Sequence, residues 1–428
     1  MATSRRDVLK LAGLALAGTS FPSIIVPTKS FSGVNSDTLK VGLIGCGGRG
    51  SGAAKQALSA DPNVVLHAMG DVFPDKLEAS LTLLKKVHGD KVKVTEDRKF
   101  IGFDAYQKVI DSGVDVVILT TPPYFRPEHL AAAVKAGKHI FCEKPVAVDA
   151  PGIRSVLESA KLAKQKGLSL VCGFCWRYDE PKRASFGRIL DGSIGDVHTV
   201  YNTYYAGLLW SYPRKDGWTD MEYQMRNWMY YTWLAGDHIV EQAVHSIDMM
   251  SWAFGDKLPV SAIGTGGRQV RTDSLFGHIY DHFAITYEYA DGKKGFHFSR
   301  QQANTDTSYL VESLGSKGRA MVDCSKRVHE IYGANPWKYD GPTSDMYQNE
   351  HNELFASIRK GKPMNDGEWM ANSSLLAIMG RMAAYTGKRI TWEQALNSTE
   401  KLGPGSPISF QTAVPVAEVA KPGFTAFS

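Results

Sequence analysis

Taken as a string of apolar and polar positions, the chain changes rhythm twice. A short apolar run, Leu11 to Gly18, follows a basic start, and a mixed Gly/Ser/Thr stretch leads on to about Asp37. From Leu39, continuous apolar segments alternate with helix-forming ones. "LKVGLIG", "NVVLHAMGD", "VDVVILTT", "KHIFCEK" and "LSLVCGF" predict strands, with helices such as "RGSGAAKQALSA" and "DKLEASLTLLKKV" between them. Unbroken apolar strands separated by helices require a parallel sheet covered on both faces. After Tyr178 the period becomes two. "GDVHTVYNTYYAG", "VSAIGTGG", "DHFAITYEYADG", "KKGFHFSRQQ", "TSYLVESLGSKG" and "RAMVDCS" predict strands joined by Gly and Asp-Gly turns, hence an open, mostly antiparallel sheet. One segment interrupts them, "AGDHIVEQAVHSIDMMSWAFG" at 235–255, and predicts a single helix. Late in the chain, "MGRMAAYTGKRITWEQAL" predicts helix, turn and short helix. The expected architecture is α/β: a doubly wound parallel sheet over 38–177, then an α+β domain over 178–428, with 1–37 outside both.

Composition narrows the class. At 428 residues, with 43% hydrophobic and 22% charged, the chain has the make-up of an ordinary globular protein large enough to bury its cores without staples. A net charge of +5 without a Lys/Arg block argues against nucleic acid as a partner. Five cysteines, an odd number, are not a disulfide framework. Cys172 and Cys175 fall inside an apolar strand pattern and are expected to be small buried hydrophobes. The terminus "MATSRRDVLKLAGLALAGTS" has Arg5 and Arg6, then an apolar run too short to span a bilayer, then small residues. It resembles a bacterial twin-arginine export signal, with Val8 where an aromatic is usual. The expectation is an exported, periplasmic protein with no membrane anchor.

The candidate chemistry begins at Gly45-Cys46-Gly47-Gly48-Arg49-Gly50, a G-x-G-x-x-G that ends the first strand and opens a helix. Gly45 allows the tight turn, Gly47 lets backbone approach a pyrophosphate, and Gly50 lets helix and strand pack closely. The helix N-terminus supplies free N–H groups and a positive dipole end. Asp71 ends the second strand and can accept from the ribose hydroxyls of NAD while repelling the 2′-phosphate of NADP. Thr121-Pro122 and Glu143-Lys144 follow later strands, so both loops are expected to border the cofactor. A lysine there can steady a developing alkoxide.

In the second domain, His238, Glu241, His245 and Asp248 recur at steps of 3, 4 and 3 within the predicted helix, forming one polar seam among apolar positions. Ionisable groups on such a face need partners or a task. A zinc site is a weaker alternative, and no metal is expected. Residues 201–233 hold eleven Tyr or Trp, where the chain-wide 11% gives about four. Rings with polar handles suit the half-apolar, half-wet faces of a sugar, and Arg226 is a candidate for its hydroxyls.

"GLIGCGGRG", the Asp71 strand, "VVILTTPP", His129, "AGKHIFCEKPVAV" and "GFCWRY" recur in an order that resembles the Gfo/Idh/MocA family of glucose–fructose oxidoreductase and inositol dehydrogenase, over roughly residues 38–400. The resemblance implies a Rossmann domain, an NAD site that includes Thr121, Pro122, His129 and Glu143, and an antiparallel sheet that supports a homodimer or homotetramer. It places Lys144 between nicotinamide and substrate, makes His245 the acid/base and gives Glu241 the place where aspartate is commoner. Arg177 and Tyr178, with His238 and Asp248, are candidates for the substrate side. The implied reaction is hydride transfer between a sugar or glycoside hydroxyl and a tightly bound nicotinamide. A redox-neutral glycosidase or lyase, and a sugar-binding protein without catalysis, are the alternatives.

Overall fold

The computed structural model describes residues 37–428, so the expected export signal lies outside the described residues. Six parallel strands form the first sheet: β1 (Leu39–Ile44), β2 (Val64–Asp71), β3 (Lys99–Ile101), β4 (Val116–Leu119), β5 (His139–Cys142) and β6 (Leu170–Cys172). Their order is β3-β2-β1-β4-β5-β6, so the direction of winding reverses between β1 and β4. A crevice opens at that point beyond the carboxyl ends of the strands. The strands are apolar throughout because helices cover both faces; Val41, Leu43, Val116, Val117, Ile118 and Leu119 are all completely buried. β3 is only three half-exposed residues at the sheet edge, which is why the apolar pattern does not announce it.

Nine strands form the second sheet: β7 (Val197–Ala206), β8 (Ser261–Gly267), β9 (His282–Glu288), β10 (Lys294–Gln301), β11 (Leu310–Gly315), β12 (Gly318–Asp323), β13 (Val328–Gly333), β14 (Trp337–Lys338) and β15 (Ile390–Thr391). The order is β14-β13-β12-β11-β7-β10-β9-β8-β15, and within it β7 and β10 pair in parallel while the other pairs are antiparallel. Helices Val244–Ala253 and Gly367–Thr386 pack on this sheet.

The chain does not stay in its second domain. Helix Met346–Arg359 returns to the first and packs on helix Gly48–Ala60, with Leu354 and Phe355 in the core that holds Val41, Ala57 and Phe141. Asn365 then bridges Leu170 in parallel, extending the first sheet past β6. Gly367–Thr386 lies against helix Ala150–Gln165. The nucleotide half is therefore finished by residues some 170 to 190 positions downstream of the sequence boundary at 177.

The segment 235–255 is not one helix. Gly236 (φ +78°) ends helix Thr232–Ala235, and Asp237 (φ +76°) turns the chain into the single turn His238–Glu241. The Ala243 amide then bonds back to the His238 carbonyl, five residues away, before helix Val244–Ala253 begins. That extra residue breaks the 3-4-3 register, so the four polar residues do not share a face.

Candidate active site

The dinucleotide crevice is a cleft of about 730 Å³. Gly45, Gly47, Gly48, Arg49, Gly50, Asp71, Thr121, Pro122 and His129 all line it. The glycines occupy it for three distinct reasons. Gly45 has φ +95°, and a Cβ there would stand 2.7 Å from the Thr121 amide nitrogen. At Gly50 a Cβ would collide with the Gly45 carbonyl oxygen at 1.9 Å. Gly47 and Gly48 face open space, with nothing within 4 Å of where a Cβ would be. Helix Gly48–Ala60 has no side-chain cap at its N-terminus. Uncapped N–H groups facing open space at a positive dipole end fit a pyrophosphate.

Asp71 accepts hydrogen bonds from the amides of Cys46 (2.5 Å) and Phe73 (2.8 Å). Burial raises its pKa against these two bonds, and the residue lines the cleft. Cys46 contributes its amide; its buried thiol points at the Gly70 carbonyl. His129 stacks on Tyr106 at 4.1 Å, with Nδ1 3.3 Å from the Thr121 hydroxyl. Burial, then Arg126, lowers its pKa to about 3, so it is neutral. Thr120, which the sequence reading did not single out, ties β4 to the glycine turn by donating to the Gly45 carbonyl at 2.7 Å.

Arg49 and Glu143 are joined to each other. The Arg49 guanidinium pairs with Glu143 and with Glu350 at 2.9 Å, and donates to the side-chain amide oxygen of Gln56 at 2.9 Å. Glu350 comes from the returning helix and is fully buried, and burial pushes its carboxyl well above the usual range. Glu143 also accepts from the Lys144 amide at 3.1 Å. Arg49 thus braces the loop that carries Lys144, a link between residues 49, 143 and 350 that no local pattern contains.

Lys144 follows β5 at a cis peptide bond to Pro145. Its Nζ donates to the Glu241 carbonyl (2.6 Å) and to the Glu241 carboxylate (3.1 Å). Both side chains are nearly withdrawn from solvent, 14% and 9% exposed. The second Glu241 oxygen is buried with no partner. His245 lies against Trp176 (4.9 Å between ring centres) and edge-on to Phe174 (5.9 Å). Burial, then the charges of Lys144, Lys182 and Arg49, holds its imidazole well below the usual histidine value. A neutral imidazole within electrostatic reach of a lysine suits a reaction in which one group takes a proton while the other steadies an oxyanion. Glu241 contacts the lysine, not the histidine. Trp176, Tyr204 and Tyr309 form an aromatic cluster on the His245 side, with Tyr204 and Tyr309 at 4.7 Å.

The other candidates for the substrate side have different neighbours. Arg177 grips Asp248 through Nε and Nη2 and also bonds Asp256; Ser373 donates to Asp248 at 2.6 Å. The hydroxyl of Tyr178 donates to Asp366 at 2.6 Å. His238 is buried against Asp237 (3.1 Å) and the Tyr280 carbonyl (3.2 Å). Arg226 lines the dinucleotide cleft and pairs with Asp75 of the first domain. Apart from Asp237, which directly precedes His238, these partners lie on other elements, so sequence spacing could not reveal them. Cys142, Cys172 and Cys175 are buried free thiols whose pKa values burial raises. Among the described residues there is no group of three or more His, Cys, Asp or Glu that could hold a metal ion. No helix there is long and apolar enough to cross a membrane.

Comparison with known proteins agrees with this geometry. Residues 39–174 match the model described as oxidoreductase family, NAD-binding Rossmann fold, and residues 187–321 match the GFO/IDH/MocA C-terminal domain. The inositol 2-dehydrogenase of Rhizobium meliloti is 28% identical over 345 residues, covering 77% of this chain and 93% of that protein. A glycosyl hydrolase family 109 protein of Solibacter usitatus is 28% identical over 287 residues, covering 64% of this chain and 62% of that protein. Among solved structures, the aldose–aldose oxidoreductase of Caulobacter crescentus superposes with a TM-score of 0.66 at 19% identity, covering 83% of this chain and 99% of that one. Levoglucosan dehydrogenase in complex with NADH and levoglucosan gives the same score, identity and coverage. With both of its halves matched in order and the cleft built as an NAD site, the chain belongs to the Gfo/Idh/MocA family of oxidoreductases.

Proposed function

We propose that the protein oxidises a secondary ring hydroxyl of a sugar or glycoside to a keto-sugar, with C3 of a glucoside the favoured position, and that it works after export by the twin-arginine route. The observation that supports this best is the pairing of Lys144, in the loop after β5, with Glu241, within electrostatic reach of a neutral, buried His245. NAD, when bound, supplies the hydride acceptor. His245 takes the hydroxyl proton. Lys144 donates to the same oxygen as it gains charge. Glu241 keeps that ammonium in place, and Arg49 through Glu143 fixes the loop from which it projects. Trp176, Tyr204 and Tyr309 offer apolar ring faces with hydroxyl edges, the surface that a pyranose matches. Because free NAD is scarce outside the cytoplasm, the cofactor is held through the catalytic cycle and recycled in place by a second substrate. The second sheet turns Ile263, Thr265, Ala284, Thr286 and Phe298 toward an open face, which suits assembly of identical chains.

The test has two steps. The protein is purified without added cofactor and denatured, and the released nucleotide is identified; NAD is expected. A panel of sugars and glycosides is then read by reduction of the bound nucleotide at 340 nm. An empty mature protein that exchanges NAD at millimolar affinity refutes retention. The likeness to the Solibacter glycosyl hydrolase family 109 protein keeps a redox-neutral reading in view. Release of aglycone from a nitrophenyl sugar without net NADH would favour it.

A further inference from the structure

The rings of the aromatic stretch divide between two places. Tyr204 stands beside Trp176 and Tyr309, on the His245 side. Trp210, Tyr212, Trp218 and Trp228 line the dinucleotide cleft instead. They come from the second domain, and the wall that shares the cleft with them includes Asp71, Phe73, Asp75 and Lys76 of the first.

This strap is fastened from both sides. Asn227, fully buried, accepts from the Tyr212 amide (2.7 Å) and donates to the Tyr212 carbonyl (3.1 Å). The Tyr230 hydroxyl lies 3.1 Å from the carbonyls of Leu209 and of Trp210. Arg226 spans the domains. Its guanidinium sits 4.0 Å from the Phe73 ring centre and 4.9 Å from that of Trp218, and it reaches both Asp75 oxygens at 3.1 and 3.2 Å. Lys76 Nζ lies 5.6 Å from the Tyr212 ring centre. The rings held this way are not consumed by packing: Trp210 is 43% and Tyr212 41% exposed although both line a concave cleft. A backbone clamp that presents bare aromatic faces to a cleft is built for a flat, partly apolar ligand.

We propose that residues 209–228 are the second half of the cofactor site: they close over the adenosine portion of NAD, with Trp210 and Tyr212 facing the purine and the Arg226–Asp75 pair joining the domains across it. The inference rests on the NAD site described above. Its end of the cleft is fixed by Asp71, the carboxylate placed for the adenosine ribose; Phe73, Asp75 and Lys76 follow it directly and line the same cleft, whereas Lys144 is not among the residues that line it. Release of the cofactor then requires the Arg226–Asp75 pair to part, which gives retention a location.

ADP-ribose is the probe, since it carries adenosine and pyrophosphate but no nicotinamide. Its affinity is expected to fall at least tenfold in Trp210→Ala/Tyr212→Ala, and its dissociation to quicken at least tenfold in Arg226→Met. Lys144→Met, altered outside the wall that the strap shares, should bind it within twofold of the parent. Should the strap variants misfold, amide hydrogen exchange across 207–228 in the parent is decisive, and it should slow when ADP-ribose binds. Double-variant affinity within twofold of the parent, or exchange in 207–228 unmoved by ADP-ribose, overturns the inference. A parent that binds neither NAD nor ADP-ribose overturns the cofactor reading and this inference together.

Discussion

Lys144→Met separates chemistry from architecture at one position. Methionine keeps the length of the side chain but loses three N–H donors and the charge. Two bonds vanish, to the Glu241 carbonyl and carboxylate. The carboxylate is then left with no cation, although its second oxygen already lacks a partner. Removing one partner of a buried ion pair costs about 3–5 kcal/mol. With an unfolding entropy of about 2.1 cal/mol/K for each of about 390 residues, 4 kcal/mol lowers Tm by about 5 °C. Loss of one donor to a developing oxyanion lowers kcat by about 10²–10³-fold. Scanning calorimetry measures the first effect, and single-turnover reduction of bound NAD at 340 nm the second. The double variant Lys144→Met/Glu241→Leu distinguishes them. It removes both charges, so it is expected to recover most of the lost Tm and none of the lost rate. If the double variant turns over within tenfold of the parent, Lys144 takes no part in the chemistry. If the single variant keeps its Tm, the pair carries no structural energy and the ion-pair argument fails.

Three further outcomes follow from the same geometry. Gly50→Ala drives a Cβ into the Gly45 carbonyl and should lower both Tm and NAD affinity, whereas Gly47→Ala fills open space reserved for phosphate and should weaken NAD at least tenfold with Tm unchanged; equal Tm losses would refute the division of roles. His129 and His297 are buried with pKa values of about 3, so between that value and about 6.5 the unfolded chain binds protons that the folded one does not, and each costs about 1.4 kcal/mol of stability per pH unit as pH falls below about 6.5. The urea midpoint should therefore drop between pH 7 and pH 5, and a flat profile would contradict their neutral burial. Asp248→Asn breaks the buried grip on Arg177 and should cost about 3–5 kcal/mol in urea denaturation while KM stays within about threefold; a larger KM change would return Asp248 to the substrate site.

The nucleotide half was legible because its signals are contiguous. A glycine turn, the strand before it and the helix after it lie within a score of residues, and unbroken apolar strands leave one arrangement. Asp71 could be placed because strand ends converge on the crevice, which it lines. The second half hid more. The polar seam looked like one helix face because each neighbouring residue suits a helix; its register breaks at Ala243, whose amide bonds the His238 carbonyl, and the turn that starts at His238 is set by Asp237, held by Tyr280 and Tyr385 far away in sequence. Arg177 with Asp248, and Arg49 with Glu350, are partners that only tertiary structure introduces. The aromatic stretch was read as suiting a sugar, but composition carries no direction, and Trp210, Tyr212, Trp218 and Trp228 line the dinucleotide cleft. Helix Met346–Arg359 gave no sign of returning to the first domain, since its apolar face fits any core.

That return has a consequence for how the protein is made. When β6 leaves the ribosome, the parallel sheet has an unpaired edge at Leu170, and helix Gly48–Ala60 has an apolar side with nothing on it. The residues that cover them, 346–366, emerge nearly two hundred positions later. At about 5–20 residues per second that interval lasts about ten to forty seconds. Throughout it the nascent nucleotide domain is sticky at one edge and lacks Glu350, the second anchor of Arg49. Completion of the cofactor loop is thus a late event in synthesis, and a chain cut short before residue 346 is expected to aggregate instead of surviving as a small NAD-binding fragment.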